Sequence, residues 1–385
     1  MAKNSHPGGA LVDGASDRIR ITYVLTTADG EAVEDLAHAI ASEQTVELPD
    51  GCYPKAVGER VVGRVEDLTQ LSETRWQAQI SYWPGLVESE VPQLLNLLFG
   101  NISMLQGIAV SDVALPDQVL RAYPGPRFGV PGIRRACGVT TERPLLCSAA
   151  KPIGLSVEQL AERCRALARG GVDIVKDDHG VMGQSVAPFR ERAERCQQAV
   201  LDANGETGGH TLYFPNVTAP ARQLEVRLAH ARDIGCRGVL VSPFLLGLDV
   251  LRELAESSGL ILLAHPTFSG ALSMEGHGLA PPLLFGFLLR LLGADGVIYV
   301  NAGGRFPVTA RECAEIHRRL LAPLGDFERS MPVPGGGVDA ESVGEWIGRY
   351  GRDLMFLIGS SLYAQADLEL AASRLARVLE RYVGA

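Results

Sequence analysis

From Arg18 to about Leu120, short runs of alternating apolar and polar residues are interrupted by two stretches of helical spacing. The pattern predicts strand (Arg18–Thr27), helix (Val33–Thr45), strand (Val61–Leu71), strand (Trp76–Trp83), helix (Val91–Met104) and strand (Ser111–Leu120). That βαββαβ order is the split pattern of a ferredoxin-like α+β domain, a compact sheet with its helices on one face. The turn-rich stretch Tyr123-Pro-Gly-Pro-Arg-Phe-Gly-Val-Pro131-Gly132 then marks a boundary. We therefore expect a flexible N-terminus (1–17), a ferredoxin-like domain (18–122) and a second domain (123–385).

Past the linker the rhythm changes to strict strand–helix alternation. Eight short apolar strands are predicted: Leu145–Ala150, Val172–Asp178, Thr211–Asn216, Gly238–Pro243, Leu260–His265, Gly296–Asn301, Met331–Gly336 and Leu354–Gly359. Helical patterns of about 10–20 residues separate most of them, and glycine stops precede many. Eight such units in roughly 250 residues match a (β/α)₈ TIM barrel. An open doubly wound sheet is the runner-up, but no G-x-G-x-x-G follows the first strand, which disfavours a dinucleotide fold.

In a barrel the chemistry sits where strands end. The most telling stretch is Gly171-Val-Asp-Ile-Val-Lys176-Asp177-Asp178-His179, a buried-strand pattern that stops in a lysine, two acids and a histidine. Its carboxylates, with a carbamate built on the lysine, suit a hard cation such as Mg²⁺. The other strands end in Lys151, Asn216 and Thr218, Ser242, His265, and Asn301 followed by Gly303-Gly304-Arg305. The last two end in Gly335-Gly336-Gly337 and Gly359-Ser360-Ser361. Glycine lets backbone N–H groups approach an anion, and barrels often bind phosphate after strands seven and eight. Gly336, Gly337, Gly359 and Ser360 are the candidate phosphate site, which favours a phosphorylated small substrate.

Composition narrows the partners. A net charge of −9 argues against nucleic acid, and 46% hydrophobic with 21% charged residues is ordinary for a soluble globular protein. Seven cysteines, with no C-x-x-C pair, suggest reduced thiols in a cytoplasmic protein. Met1–Ser16 is polar and glycine-rich, unlike a signal peptide. The longest apolar run, Pro281–Leu292, is broken by Arg290 and too short to span a bilayer, so no membrane partner is expected.

Lys151-Pro-Ile-Gly-Leu-Ser156, Gly171-Val-Asp-Ile-Val-Lys-Asp-Asp178, Gly337 and Gly359 resemble the large chain of ribulose-bisphosphate carboxylase, from about Arg18 to Tyr382. Glu43 in Ala41-Ser-Glu-Gln44 and Asn101 in Phe99-Gly-Asn-Ile102 match positions in that family's N-terminal domain. The resemblance implies that Lys176 becomes carbamylated and that Asp178, with His179 beside it, holds Mg²⁺. It makes Lys151 an acid/base lysine and His265 an active-site histidine. Glu43 and Asn101 would reach across a homodimer to complete the neighbour's site.

The departures bear on function. His179 stands where the family has Glu, and Ile153 where the carboxylase has a second lysine, in a segment one residue shorter. Gly303-Gly304-Arg305-Phe306 replaces the loop whose lysine serves CO₂ addition, Pro266 an arginine that holds one of two phosphates, and Gly335 a serine. A site without those groups should not fix CO₂ well, yet it retains what enediolate formation needs. The pattern is similar to the type IV, carboxylase-like proteins. Lys-Asp-Asp-His, Ala264-His-Pro266 and Asn301-Ala-Gly-Gly-Arg-Phe306 are most similar to the branch acting on 3-oxo-isoapionate 4-phosphate, with Arg305 a site residue. Decarboxylation or C–C cleavage of that substrate is the expected activity. The alternatives are enolase or isomerase action on a methylthio-sugar phosphate, and a non-catalytic regulatory relative.

Overall fold

The computed structural model describes residues 17–27 and 32–382, and the expected flexible N-terminus lies outside them except for Asp17. Two compact units emerge: residues up to Ala122 together with Ser273–Ala280, and Tyr123–Leu272 together with Pro281 onward.

In the first unit β1 (Ile19–Thr26) lies between β3 (Arg75–Tyr82) and β4 (Ile108–Ala114), and β2 (Arg64–Gln70) extends the sheet beyond β3. All three pairings are antiparallel, the ferredoxin-like order. Ile19, Ile21, Tyr23 and Leu25 alternate inward along β1 and are fully buried, as a sheet with one covered face requires. Gln44 follows the helix Val33–Glu43, and its amide donates to the carbonyls of Asn96 and Leu97, which ties it to the helix Val91–Phe99.

The structure departs from the expected boundaries for local reasons. Val91–Met104 is not one helix, because it stops at Gly100 and resumes as a 3₁₀ turn at Asn101–Met104. A Cβ at Gly100 would collide with Asn96, so only glycine fits this bend. Strand Ser111–Leu120 is shifted and cut short at Ala114, two residues before Pro116, which has no N–H for a ladder. Lys55–Val61, expected partly as strand, is a short helix. Ser273–Ala280 was expected in the barrel domain. Instead its hairpin, Ser273–Met274 with His277–Leu279, lies parallel to β4 through Gly278 and Leu279.

The second unit is the barrel. Its strands are β5 (Leu145–Ala150), β6 (Ile174–Asp177), β7 (Leu212–Phe214), β8 (Gly238–Val241), β9 (Ile261–Ala264), β10 (Gly296–Val300), β11 (Met331–Gly335) and β12 (Met355–Leu357). They pair in parallel in the order β7-β6-β5-β12-β11-β10-β9-β8. A parallel bridge between Asn216 and Leu240 joins the two ends and closes the ring. Leu145, Cys147, Ile174, Phe214, Leu240, Leu263, Ile298, Val333 and Met355 fill the interior, so the barrel is a packed core and not a pore. A Cβ at Gly238 would strike the Phe214 ring, so glycine there makes room for it.

Two buried aspartates fasten the starts of the strands. Asp173 accepts from Leu146 N–H at 2.7 Å and takes a two-point grip from Arg143. Asp295 accepts from Leu262, Phe128 and Gly129 N–H groups at 2.9, 2.6 and 2.9 Å. Behind β11, buried Arg290 donates to the carbonyls of Arg319, Ala322, Phe327 and Glu328. The charge that breaks the long apolar run thus caps a helix end. Among the described residues no helix is long and apolar enough to cross a membrane.

His317, on the helix Ala310–Leu321, stacks on Tyr350 with ring centroids 4.9 Å apart. Burial depresses its imidazolium to about 4. Between that value and the ordinary 6.5, the unfolded chain binds a proton that the native state refuses. Stability therefore rises with pH across this window and is lost as pH falls through it. Replacing His317 with Phe should shrink the loss of unfolding free energy between about pH 7 and about pH 4 by roughly 2–3 kcal/mol. Urea titrations at the two pH values measure this, and an unchanged difference would contradict it.

Candidate active site

The end of β6 divides four polar residues between two jobs. Residues alternate across a strand, so Lys176 shares the inward parity of Ile174, and Asp177 points the other way. Asp177 is fully engaged. Its carboxylate accepts from Arg192 Nε at 3.1 Å, Tyr213 OH at 2.7 Å and Asn216 N–H at 2.9 Å. Arg192 is itself buried and donates onward to the carbonyls of Ala187 and Met182. This acid secures the strand end against the helix Phe189–Thr207. It has no capacity left for a ligand.

Asp178 is the free acid. One oxygen, Oδ1, lies 3.2 Å from Lys151 Nζ and 3.3 Å from His179 Nδ1. Burial alone would raise its pKa. The hydrogen bond from His179 and the charges of Lys176 and Lys151 outweigh that and hold the carboxyl well below the usual range. Lys176 is buried, donates to the Asp177 carbonyl at 3.1 Å, and has its pKa lowered chiefly by desolvation. The His179 ring lies flat on the His265 ring, centroids 4.4 Å apart and planes 12° from parallel. Burial, aided by Lys176 and His179, holds the His265 imidazolium well below its ordinary value, so the ring is neutral.

Lys151 enters from the end of β5. Its backbone N–H donates to Tyr363 OH at 3.1 Å, and that hydroxyl donates to the Ala149 carbonyl at 2.8 Å. The lysine side chain is 41% exposed, against 13% for Asp178, so its stem reaches from solvent onto a recessed carboxylate. Asn216, fully buried, donates to the carbonyls of His179 and Val181 and holds the loop that follows β6.

The loops after β11 and β12 are rich in glycine. Gly336 and Gly337 have φ of 98° and 68°, which favour glycine. A Cβ on Gly337 would strike the backbone of Gly303 and Gly304 at 2.7–2.8 Å, so no side chain fits there. A Cβ on Gly359 would meet nothing within 4 Å, leaving space beside the backbone. Among the described residues, the N–H groups of Gly336, Gly337, Gly359 and Ser360 have no acceptor.

The remaining sequence candidates make contacts of their own. Arg305 is exposed and packs its guanidinium over its neighbour Phe306, 5.2 Å from the ring. Glu43 and Asn101 lie in the first unit, where Asn101 donates to Glu43 at 3.0 Å on an exposed face. Among the described residues no group of three or more His, Cys, Asp or Glu side chains could hold a metal ion. Asp178 and His179 supply two donors, and a carbamate on Lys176 would supply the third. The lowered pKa of that buried amine favours the neutral form from which carbamates grow, so the residues fit a cation only with Lys176 modified. Sequence reading missed Arg192, Tyr213, Thr267 and Tyr363, because each acts through another residue and none sits in a distinctive motif.

The two neighbouring acids should separate cleanly on mutation. Asp177→Ala strands a buried guanidinium and should cost about 3–5 kcal/mol of unfolding free energy. Asp178→Ala should cost far less while abolishing turnover. Denaturant unfolding of both variants measures this, and equal stability losses would contradict the division.

Residues 131–306 match the family described as ribulose bisphosphate carboxylase large chain, catalytic domain. The chain is 37% identical to 5-methylthioribulose-1-phosphate isomerase of Rhodospirillum rubrum, over 91% of this chain and 93% of that protein. It is 34% identical to 2,3-diketo-5-methylthiopentyl-1-phosphate enolase of Geobacillus thermodenitrificans, over 75% and 71% respectively. A crystal structure of a Rubisco-like protein from Rhodopseudomonas palustris superimposes with a TM-score of 0.87 at 39% identity, covering 96% of this chain and 99% of that one. With its barrel, its preceding sheet domain and this similarity along nine-tenths of its length, the chain belongs to the ribulose bisphosphate carboxylase large-chain family, among the RuBisCO-like proteins.

Proposed function

We propose that this protein enolises a phosphorylated keto-sugar, with isomerisation or enol formation on a methylthio-pentose phosphate as the leading reading. The observation that carries it is the cluster of Lys151, Lys176, Asp178 and His265 at the strand ends of a barrel whose β11 and β12 end in glycine-rich loops. The relatives favour this over decarboxylation of 3-oxo-isoapionate 4-phosphate, because those described above are named as an isomerase and an enolase.

In this reading the phosphate rests on the N–H groups of Gly336, Gly337, Gly359 and Ser360. Lys151 removes the proton from the carbon beside the ketone and returns it to the neighbouring carbon when the product is an isomer. When the product is an enol, the proton passes instead to the oxygen. Asp178 holds the lysine in place through its 3.2 Å contact. Mg²⁺, held by Asp178, His179 and a carbamate on Lys176, would polarise the carbonyl and stabilise enediolate charge when bound. Arg305 is proposed to approach the substrate from its exposed loop. Glu43 and Asn101, already paired, are proposed to complete the site of the partner in a homodimer and to help exclude water.

Purified protein, with Mg²⁺ and bicarbonate, should convert 5-methylthioribulose 1-phosphate or its diketo relative far faster than the unphosphorylated sugars. Gly359→Val should raise KM for the phosphate ester about tenfold or more by filling the space beside the loop. Ribulose 1,5-bisphosphate should take up no labelled CO₂. Preference for an unphosphorylated substrate, or exclusive turnover of 3-oxo-isoapionate 4-phosphate, would overturn the leading reading.

A further inference from the structure

We infer that Thr267 is a positioning residue that fixes which nitrogen of His265 carries the proton, making the imidazole a hydrogen-bond donor to the substrate through Nε2. The inference rests on the enolisation reading for its catalytic consequence, but its geometric basis is independent. The backbone N–H of Thr267 donates to His265 Nδ1 at 3.1 Å, and the Thr267 hydroxyl lies 2.6 Å from the same nitrogen. An amide N–H can only donate, so Nδ1 must offer its lone pair. The hydroxyl, free to rotate, shares that lone pair as a second donor. The ring's one proton therefore sits on Nε2.

Two further features fit. No described residue accepts from Nε2, so its N–H remains available to a ligand. The His179 ring stacks on one face of the imidazole, centroids 4.4 Å apart, which favours this orientation. The titratable groups around it are Lys176, His179, Asp178 and Lys151, the groups assigned to the reacting centre. A donor N–H there matches an oxygen that gains negative charge as a ketone becomes an enediolate. It does not match a general base, since the lone pair a base would use is already occupied. His265 is thereby a donor in this site and not a proton acceptor.

Nitrogen-15 NMR of the histidine rings in the full-length protein tests this without substrate. His265 Nδ1 should show the shift of an unprotonated ring nitrogen and Nε2 that of a protonated one. Thr267→Val keeps the N–H that fixes the tautomer and removes only the hydroxyl, so Nε2 should stay protonated while the Nδ1 shift moves toward that of a ring nitrogen with one donor fewer. In turnover of the phosphorylated ketose it should lower kcat about fivefold to tenfold with little change in KM, the loss expected for one hydrogen bond. Thr267→Ser should restore the Nδ1 shift and kcat. A protonated Nδ1 in the wild type would overturn the inference, as would a Thr267→Val protein with a protonated Nδ1, an unaltered Nδ1 shift or unaltered kcat. If the shifts behave as stated but no phosphorylated sugar is turned over, the proton placement stands. The enolisation reading, and with it the donor role in that reaction, then falls.

Discussion

The buried pairing of Asp177 with Arg192 is the constraint from which the rest of the site follows. A carboxylate that accepts from a guanidinium, a phenol and a backbone amide is held on three sides, and Arg192 is completely buried with it. This anchors the end of β6 to the helix behind it. The next residue follows the strand, and its carboxylate meets Lys151 and His179. Asp178 can remain charged there because Lys151, Lys176 and His179 offset its desolvation. Two adjacent acids of the same type thus differ by position only, one spent on structure and one left for chemistry.

A second consequence concerns the lysines. Lys176 is buried and its charged form is penalised, while Lys151 stays partly in solvent and touches the Asp178 carboxylate. The arrangement gives one amine suited to becoming neutral and modified, and one suited to carrying a proton. The glycine-rich loops after β11 and β12 complete the division, since they offer backbone N–H groups without acceptors.

Much of this was legible in the sequence because it depends on periodicity. All eight barrel strands were visible as apolar runs, and their polar ends, from Lys151 to Ser360, follow directly from the strand count. What escaped the sequence reading depends on distance through space. Arg192 reads as an ordinary helix arginine until the fold brings it to Asp177, fifteen residues earlier in the chain. Thr267 reads as loop until its N–H and hydroxyl are seen to converge on His265. The hairpin Ser273–Leu279 carries no signal that it leaves the barrel, because strands of two and three residues are too short to show a period. The break at Gly100 required knowing that Asn96 fills the space a side chain would need.

The central claim is that these side chains make an enediolate from a phosphorylated ketose, and proton exchange reads that step directly. With substrate, Mg²⁺ and bicarbonate in D₂O, proton NMR should show the hydrogen beside the ketone replaced by deuterium, during turnover or ahead of it. The exchange should vanish in folded Lys151→Met and Lys176→Ala proteins. Product formed with full retention of that hydrogen in the wild type, or wild-type exchange rates in either variant, would contradict the account.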